Sequence, residues 1–169
     1  AIYPDTIPTL SEASAKEAGG FAAPGERECL SVGLLPLAEV RGLKCEVSDL
    51  SSPAGGRIPA AAMDLRCSRW QQNCRIFGHH NKTYNYTEHF LVRRTSLDLF
   101  PGVARRLYLD IAVPSNAPPG TYSGVVTIKS VAGKSSDRIP VSLEVLPVSL
   151  QEPPVYFAAS WGGAILKEH

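Results

Sequence analysis

Residues 107–128, LYLDIAVPSNAPPGTYSGVVTI, constrain the fold more than any other stretch of the chain. Apolar side chains occupy every second position from Leu107 to Val113, which is the period of a strand with one buried face. Pro114 ends this run because proline donates no hydrogen bond to a β ladder. The segment at 116–120, NAPPG, supplies turn residues, and alternation resumes after it. The stretch therefore predicts strand, turn, strand.

A third alternating run lies at 139–145, with Ile139, Val141, Leu143 and Val145 at every second position. Three such runs joined by short turns predict an antiparallel meander, and further runs lie upstream. We therefore predict an all-β fold, an antiparallel β-sandwich of immunoglobulin-like architecture with roughly seven to nine strands. Ile111 and Leu143 are the clearest core candidates, whereas Asp110 and Glu144 should face solvent.

Charge and hydropathy exclude several classes of partner. The 17 basic and 16 acidic residues give a formal net charge of +1. No long basic run is present, so nucleic acid is not expected as a partner. No apolar run reaches the roughly 18–20 residues of a membrane span. No cofactor motif is found either.

The chain opens with AIYPDT rather than with a basic segment followed by an apolar one, so it shows no signal peptide. The missing initiator Met favours a processed or excised piece. Secretion or a periplasmic location stays an open alternative that the sequence does not decide.

The four cysteines are Cys29, Cys45, Cys67 and Cys74. Alternation places Cys45 with Leu43, and Cys67 with its apolar neighbours, so both thiols should point into the core. We interpret them as buried thiols that pack as small hydrophobic groups. A Cys45–Cys67 or a Cys67–Cys74 disulfide is the alternative, because spacing alone does not choose a connectivity.

Several motifs together resemble a known family. They are GERECLSVGLL at 25–35, LKCEVSDL at 43–50, PGTYSGVVTI at 119–128 and VSLEVLPVSL at 141–150. This set is similar to the β-sandwich domain that precedes the catalytic barrel in glycoside hydrolase family 123 and related bacterial glycoside hydrolases. The resemblance covers residues 25–150.

The resemblance implies a domain organisation. Residues 1–150 would form a β-sandwich accessory domain, and residues 151–169 a linker and the start of a catalytic barrel. The expected partner is that barrel in the same polypeptide. In the family the catalytic Asp-Glu pair belongs to the barrel, and no adjacent Asp-Glu occurs in this chain. We therefore expect the chain to be non-catalytic by itself.

Residues 71–89 lack clean alternation, and we predict a long loop there. In and beside it lie six candidate contact residues: Trp70, Phe77, His79, His80, Tyr84 and Tyr86. Two interpretations remain open. The aromatic rings pack on the sandwich or on the adjoining barrel, or they stack on a glycan, which would make the chain a carbohydrate-binding module. A metal site is disfavoured because Cys67 and Cys74 are spaced too widely for a typical zinc ligand pair.

Overall fold

The computed structural model describes residues 5–9, 17–77, 81–93, 96–130 and 136–150, with the backbone alone at 73–77, 81–83, 85–89 and 136. These residues form eleven strands: β1 (Ala18–Ala22), β2 (Arg27–Leu34), β3 (Val40–Val47), β4 (Leu50–Ser51), β5 (Arg57–Ile58), β6 (Met63–Phe77), β7 (Asn81–Val92), β8 (Leu97–Leu99), β9 (Arg105–Ala112), β10 (Gly120–Lys129) and β11 (Ser136–Val145). A short 3-10 turn, Ala60–Ala62, precedes β6. The described part of the chain contains no helix long and apolar enough to cross a membrane.

The strands form two packed sheets, which confirms the predicted all-β sandwich. The larger sheet has seven strands along the path β1-β11-β10-β3-β8, with β4 and β5 attached beside β10. The smaller sheet has four strands in the order β2-β9-β6-β7. Strand pairs are antiparallel with one departure among the described residues, since β1 lies parallel to β11.

The predicted meander is wrong in one respect, because its first strand belongs to the other sheet. β9 pairs with β2 and β6, whereas β10 pairs with β11, β3 and β4. The proline-rich segment between β9 and β10 therefore crosses from the smaller sheet to the larger one. Alternation could not reveal this crossing, because the inward faces of both sheets bury every second residue.

The core lies between the two sheets and contains the predicted residues. Ile111 on β9 and Leu143 on β11 are both 0% exposed. Glu144 faces solvent, and Asp110 lies on the outer face, where its carboxylate forms an ion pair with Arg27 at 2.6 Å. The predicted strand periods and inward faces of β9 and β11 are confirmed.

The turn before β10 is fastened by its own tyrosine. Tyr122 is wholly buried, and its hydroxyl donates a hydrogen bond of 2.8 Å to the carbonyl oxygen of Pro118. Gly56 makes room for the ring, because a Cβ added there would lie 2.2 Å from the Tyr122 hydroxyl oxygen. The PPGTY sequence therefore has a structural role. The Tyr122 ring packs in the core, and its hydroxyl group stabilises the turn by a hydrogen bond to Pro118.

Residues 71–89 contain a long hairpin and not the loop predicted from the sequence. β6 continues to Phe77, and β7 pairs with it from Asn81 onward. A two-stranded ribbon outside the sandwich needs no apolar face, because cross-strand hydrogen bonds satisfy its backbone whatever the side chains are. That is why strands are present here without alternation.

The three cysteines whose side chains are described carry reduced thiols: Cys29, Cys45 and Cys67. Neither of the alternative disulfides is therefore formed in this structure. Cys67 is buried and Cys45 half-buried, as predicted. Burial, and then the neighbouring Cys67, raise the pKa of the Cys45 thiol to about 11.

The register defines two opposite ends of the sandwich. We call the first the exit pole, because β11 ends there with Val145 beside Gly120 and Ala22. In the smaller sheet the same pole holds the Arg27–Ala112 pair. The tight link between β1 and β2 brings the two sheets together at this end, and the Gly25 amide there donates a hydrogen bond of 3.1 Å to the Val113 carbonyl.

The second end is the hairpin pole. Here Leu34 pairs with Arg105 in the smaller sheet, and Lys129 pairs with Ser136 in the larger one. β6 runs outward past this end. The hairpin and the chain exit from β11 are therefore separated by the length of the sandwich.

Replacing Ile111 by Asp should abolish cooperative thermal unfolding of the chain. The substitution empties a fully buried site and introduces a carboxylate there, at a cost of about 4 kcal/mol or more, which is comparable to the whole stability of a domain. The matched control is Ile7→Asp, because Ile7 is 80% exposed. Circular dichroism melting curves that are unchanged for Ile111→Asp would contradict the assigned register.

Replacing Tyr122 by Phe should lower the free energy of unfolding by about 1 kcal/mol, because the bond to the Pro118 carbonyl is lost while the ring stays. The control is Tyr84→Phe, since Tyr84 is 62% exposed and its hydroxyl contributes no core contact. Urea denaturation measures both values. If Tyr122→Phe is as stable as the unsubstituted chain, the hydrogen bond from the Tyr122 hydroxyl to the Pro118 carbonyl does not stabilise the turn.

Iodoacetamide at pH 8 should modify Cys29, which is exposed, much faster than Cys45. With a pKa of about 11, about one Cys45 thiol in a thousand is ionised at that pH, and burial blocks the reagent further. Peptide mass spectrometry measures the two rates, and guanidinium chloride should remove the difference. Equal rates in the native chain would show that Cys45 is not packed as described.

Candidate functional site

Strands β6 and β7 extend beyond the body of the sandwich. β6 pairs with β9 only from Met63 to Cys67, but with β7 from Cys67 to Phe77. We call residues 68–77 and 81–91 the hairpin arm. Its length is about 30 Å at the usual rise of an antiparallel strand. Within the described residues β7 is the only strand that pairs with this part of β6.

A pocket of about 490 Å³ lies at the base of the arm, at the hairpin pole. Its wall includes residues from β6, from β8 and from the first residue of β9: Ser68, Arg69, Trp70, Leu97, Asp98 and Arg105. β6 and β9 belong to the smaller sheet and β8 to the larger one, so the pocket is the open end of the space between the sheets.

Two arginines line this opening because of strand register. Cys67 and Leu107 are opposed in the β6–β9 ladder and are both buried. Two residues further along each strand, in the same inward-facing series, stand Arg69 and Arg105. The apolar inward series of β6 and β9 thus end in two arginines that line one pocket, Arg69 exposed and Arg105 half-buried. Like charges placed opposite each other on neighbouring strands repel.

Neither Arg69 nor Arg105 forms an ion pair within the described residues. The carboxylate that lines the same pocket, Asp98, accepts a hydrogen bond of 2.9 Å from the Gly42 amide and pairs with Arg41 at 3.3 Å. The Gly42 hydrogen bond, with Arg41 as a further cause, lowers the pKa of Asp98. Asp98 therefore stays ionised, and Arg41, which also pairs with Glu39, compensates only part of its charge from outside the pocket.

The remaining wall offers an aromatic ring and a hydroxyl. Trp70 is half-buried at the pocket. Ser68 is 4% exposed, and its Oγ has no hydrogen-bond partner in the described part of the chain. A buried hydroxyl without a partner costs free energy, so a polar neighbour at this position would stabilise the chain.

Of the two predicted contact residues whose side chains the structure describes, Trp70 lines this pocket and Tyr84 does not. Tyr84 is exposed on β7 opposite Cys74, about 13 Å further along the arm. Phe77 and Tyr86 lie on the arm by their backbone, where Phe77 pairs with Asn81, and their side chains are not described. His79 and His80 lie outside the described residues. The joint role of these six residues in glycan or interdomain contact therefore stays a prediction.

Sequence reasoning did not find Arg69 and Arg105 as pocket residues. A signal for them was present, because each continues an inward-facing series of apolar residues and breaks it with a charge. A charged residue at an inward position marks either the end of the core or a site. Deciding between these needs the pairing of β6 with β9, which alternation does not give.

Two carboxylates stand opposite each other on the outer face of the smaller sheet, Asp64 on β6 and Asp110 on β9. Asp64 accepts hydrogen bonds from Arg66 at 2.6 Å and from Arg93 at 2.9 Å. Burial raises its pKa, but the two arginines outweigh burial and the pKa is lowered. A glycosidase general acid requires a raised pKa, so this pair has the character of a charge network.

No group of three or more His, Cys, Asp or Glu side chains that could hold a metal ion occurs in the part of the chain that the structure describes. His79 and His80 lie outside that part.

Comparison with known proteins gives a likeness of fold. No protein-family model and no curated protein matches the chain. Among solved structures, a family 123 glycoside hydrolase from Clostridium perfringens, studied for glycolipid glycan hydrolysis, matches with a TM-score of 0.70 and 17% identity. The match covers 82% of this chain and 24% of that enzyme, so the chain spans about a quarter of the enzyme's length.

Two weaker likenesses are to other β-sandwich proteins. The galactose-bound MyfA subunit of Myf fimbriae from Yersinia enterocolitica matches at a TM-score of 0.41 and 11% identity, covering 73% of this chain and 88% of that one. A PapD-like domain of human CEP192 matches at a TM-score of 0.38 and 15% identity. The match covers 88% of this chain and 95% of that one.

Proposed function

We propose that the chain is a non-catalytic accessory domain of a bacterial glycoside hydrolase and that it supports a catalytic barrel in the same polypeptide. The observation that carries the proposal is the match of 82% of the chain to 24% of a family 123 enzyme at a TM-score of 0.70. It agrees with the sequence motifs that resemble the N-terminal sandwich domain of that family. Fold alone does not assign a function, so the proposal needs its own test.

The exit pole supplies a surface for such a barrel. The Leu146 amide donates a hydrogen bond of 2.9 Å to the Ala22 carbonyl, which fixes the chain at the point where it leaves β11. Close to this bond in sequence, Phe21, Val148 and Leu150 are exposed. Burial of these side chains by a following domain would remove apolar surface from water. In the proposal, residues 1–150 form the sandwich domain, and residues 151–169 the linker and the start of the barrel.

A second candidate function is carbohydrate recognition, favoured by the pocket at the hairpin pole. Trp70 forms part of its wall, and the pocket volume of about 490 Å³ lies within the range of small-ligand sites. The two candidates use opposite poles of the sandwich, so one domain can serve both.

The accessory role predicts that the exit pole stabilises the adjoining domain. In the complete polypeptide, the double substitution Phe21→Ser and Leu150→Ser should lower the melting temperature of the following domain by several degrees, since their apolar contact is lost. Differential scanning calorimetry resolves the transitions of the two domains.

The matched control is Leu37→Ser, which removes an exposed leucine from the loop before β3 at the hairpin pole. It should leave the following domain unchanged. Unaltered melting and activity of the following domain after deletion of residues 1–150 would overturn the accessory role, as would a mature polypeptide that ends at His169.

A further inference from the structure

We propose that the pocket at the hairpin pole binds an anionic saccharide, a sugar residue that carries a carboxylate or a sulfate group. This inference goes beyond the accessory role and rests on the second candidate, carbohydrate recognition, for which it names the ligand class. Arg69 and Arg105 would hold the anionic group, and Trp70 would contact the apolar face of the sugar ring.

The charge of the pocket carries the argument. Arg69 and Arg105 continue the inward series of two neighbouring strands and line the same opening. No carboxylate pairs with either within the described residues; the Asp98 carboxylate in the same wall is bound instead by the Gly42 amide and by Arg41, which also pairs with Glu39. Two guanidinium groups in one pocket wall, neither in an ion pair within the described residues, favour an anionic group beside them. Guanidinium groups bind carboxylate and sulfate oxygens through paired, charge-assisted hydrogen bonds.

The other wall residues distinguish a sugar from a simple anion. A pocket of about 490 Å³ is far larger than a sulfate or phosphate ion needs. Asp98 presents an ionised carboxylate, which accepts hydrogen bonds from hydroxyl groups. Trp70 offers a ring on which the C–H face of a sugar can pack. Anion-binding arginines, a hydroxyl-binding carboxylate and an aromatic wall together match an acidic sugar.

The buried Ser68 hydroxyl is a further polar group among the residues that line the pocket. It sits next to Arg69 and Trp70 at the pocket, is nearly inaccessible, and has no hydrogen-bond partner in the described structure. A chain selected for stability alone would gain by replacing it with Ala or Val, since burying an unpaired hydroxyl is unfavourable.

The experiment is a glycan array followed by isothermal titration of the intact chain. The array carries sialylated, uronate-containing and sulfated oligosaccharides beside their neutral counterparts. The expected result is saturable binding of acidic glycans, with little binding of the matched neutral ones. Affinity should weaken as sodium chloride is raised, because salt screens the guanidinium–anion attraction.

Variants locate the site. Arg69→Gln and Arg105→Gln should each weaken binding about tenfold or more, which is the usual effect of losing one charge-assisted hydrogen bond. The control, Arg138→Gln, makes the same change of charge at an exposed position on the outer face of the larger sheet and should bind normally. The pocket variants should melt at about the same temperature as the unsubstituted chain, because neither arginine forms an ion pair within the described residues.

Three other results of these experiments would contradict the proposal or a part of it. Neutral glycans that bind as tightly as acidic ones, with loss on Trp70→Ala alone, would keep carbohydrate recognition and overturn the anionic class. If free sulfate or acetate displaces the glycan at a concentration equal to that of the glycan, the pocket recognises a simple anion, and the proposal of a saccharide ligand is wrong. No binding to any glycan would overturn this inference and the second candidate together, while the accessory role would stand on its own calorimetric test.

Discussion

Burial of one face of each long strand is the interaction on which the rest of the structure depends. The inward series of β9 and β11, with Ile111 and Leu143 at 0% exposure, fixes which residues face the interior and therefore fixes the register. The same register decides where the interior ends. The inward series of β6 and β9 change there from apolar residues to Arg69 and Arg105. At this point the pocket begins. The pocket is thus a consequence of the packing and is built from the same strands as the core.

The sandwich also separates two kinds of surface. Short links between strands, and the Tyr122 hydroxyl on the Pro118 carbonyl, hold the exit pole together. At the hairpin pole the long arm extends past the core, and the pocket opens at its base. A domain joined after β11 would begin at the first pole. A ligand bound by the two arginines would lie at the hairpin pole. Contact with a following domain and binding of a ligand would therefore use different surfaces.

Sequence patterns gave the fold class and the inward faces, because both follow from local alternation, as at residues 107–113 and 139–145. They missed features that depend on pairing between distant segments. AGGFA at β1 shows no alternation of apolar and polar residue types, yet it forms a strand parallel to β11. The strands of the arm pair with each other beyond the sandwich, so their sequence lacks the alternation that predicts a strand. Trp70 is a candidate through its residue type, whereas the pairing of β6 with β9 is what brings Arg69 and Arg105 to one pocket.

The most direct test of this account is a crystal structure of the complete polypeptide that contains the chain. The account predicts that Phe21, Val148 and Leu150 at the exit pole are covered by a following domain, while the pocket between Trp70 and Arg105 opens to solvent. An arm and pocket packed against that domain, with an exposed exit pole, would contradict it. The arginines would then serve as an interdomain contact, and no ligand would be needed to explain them.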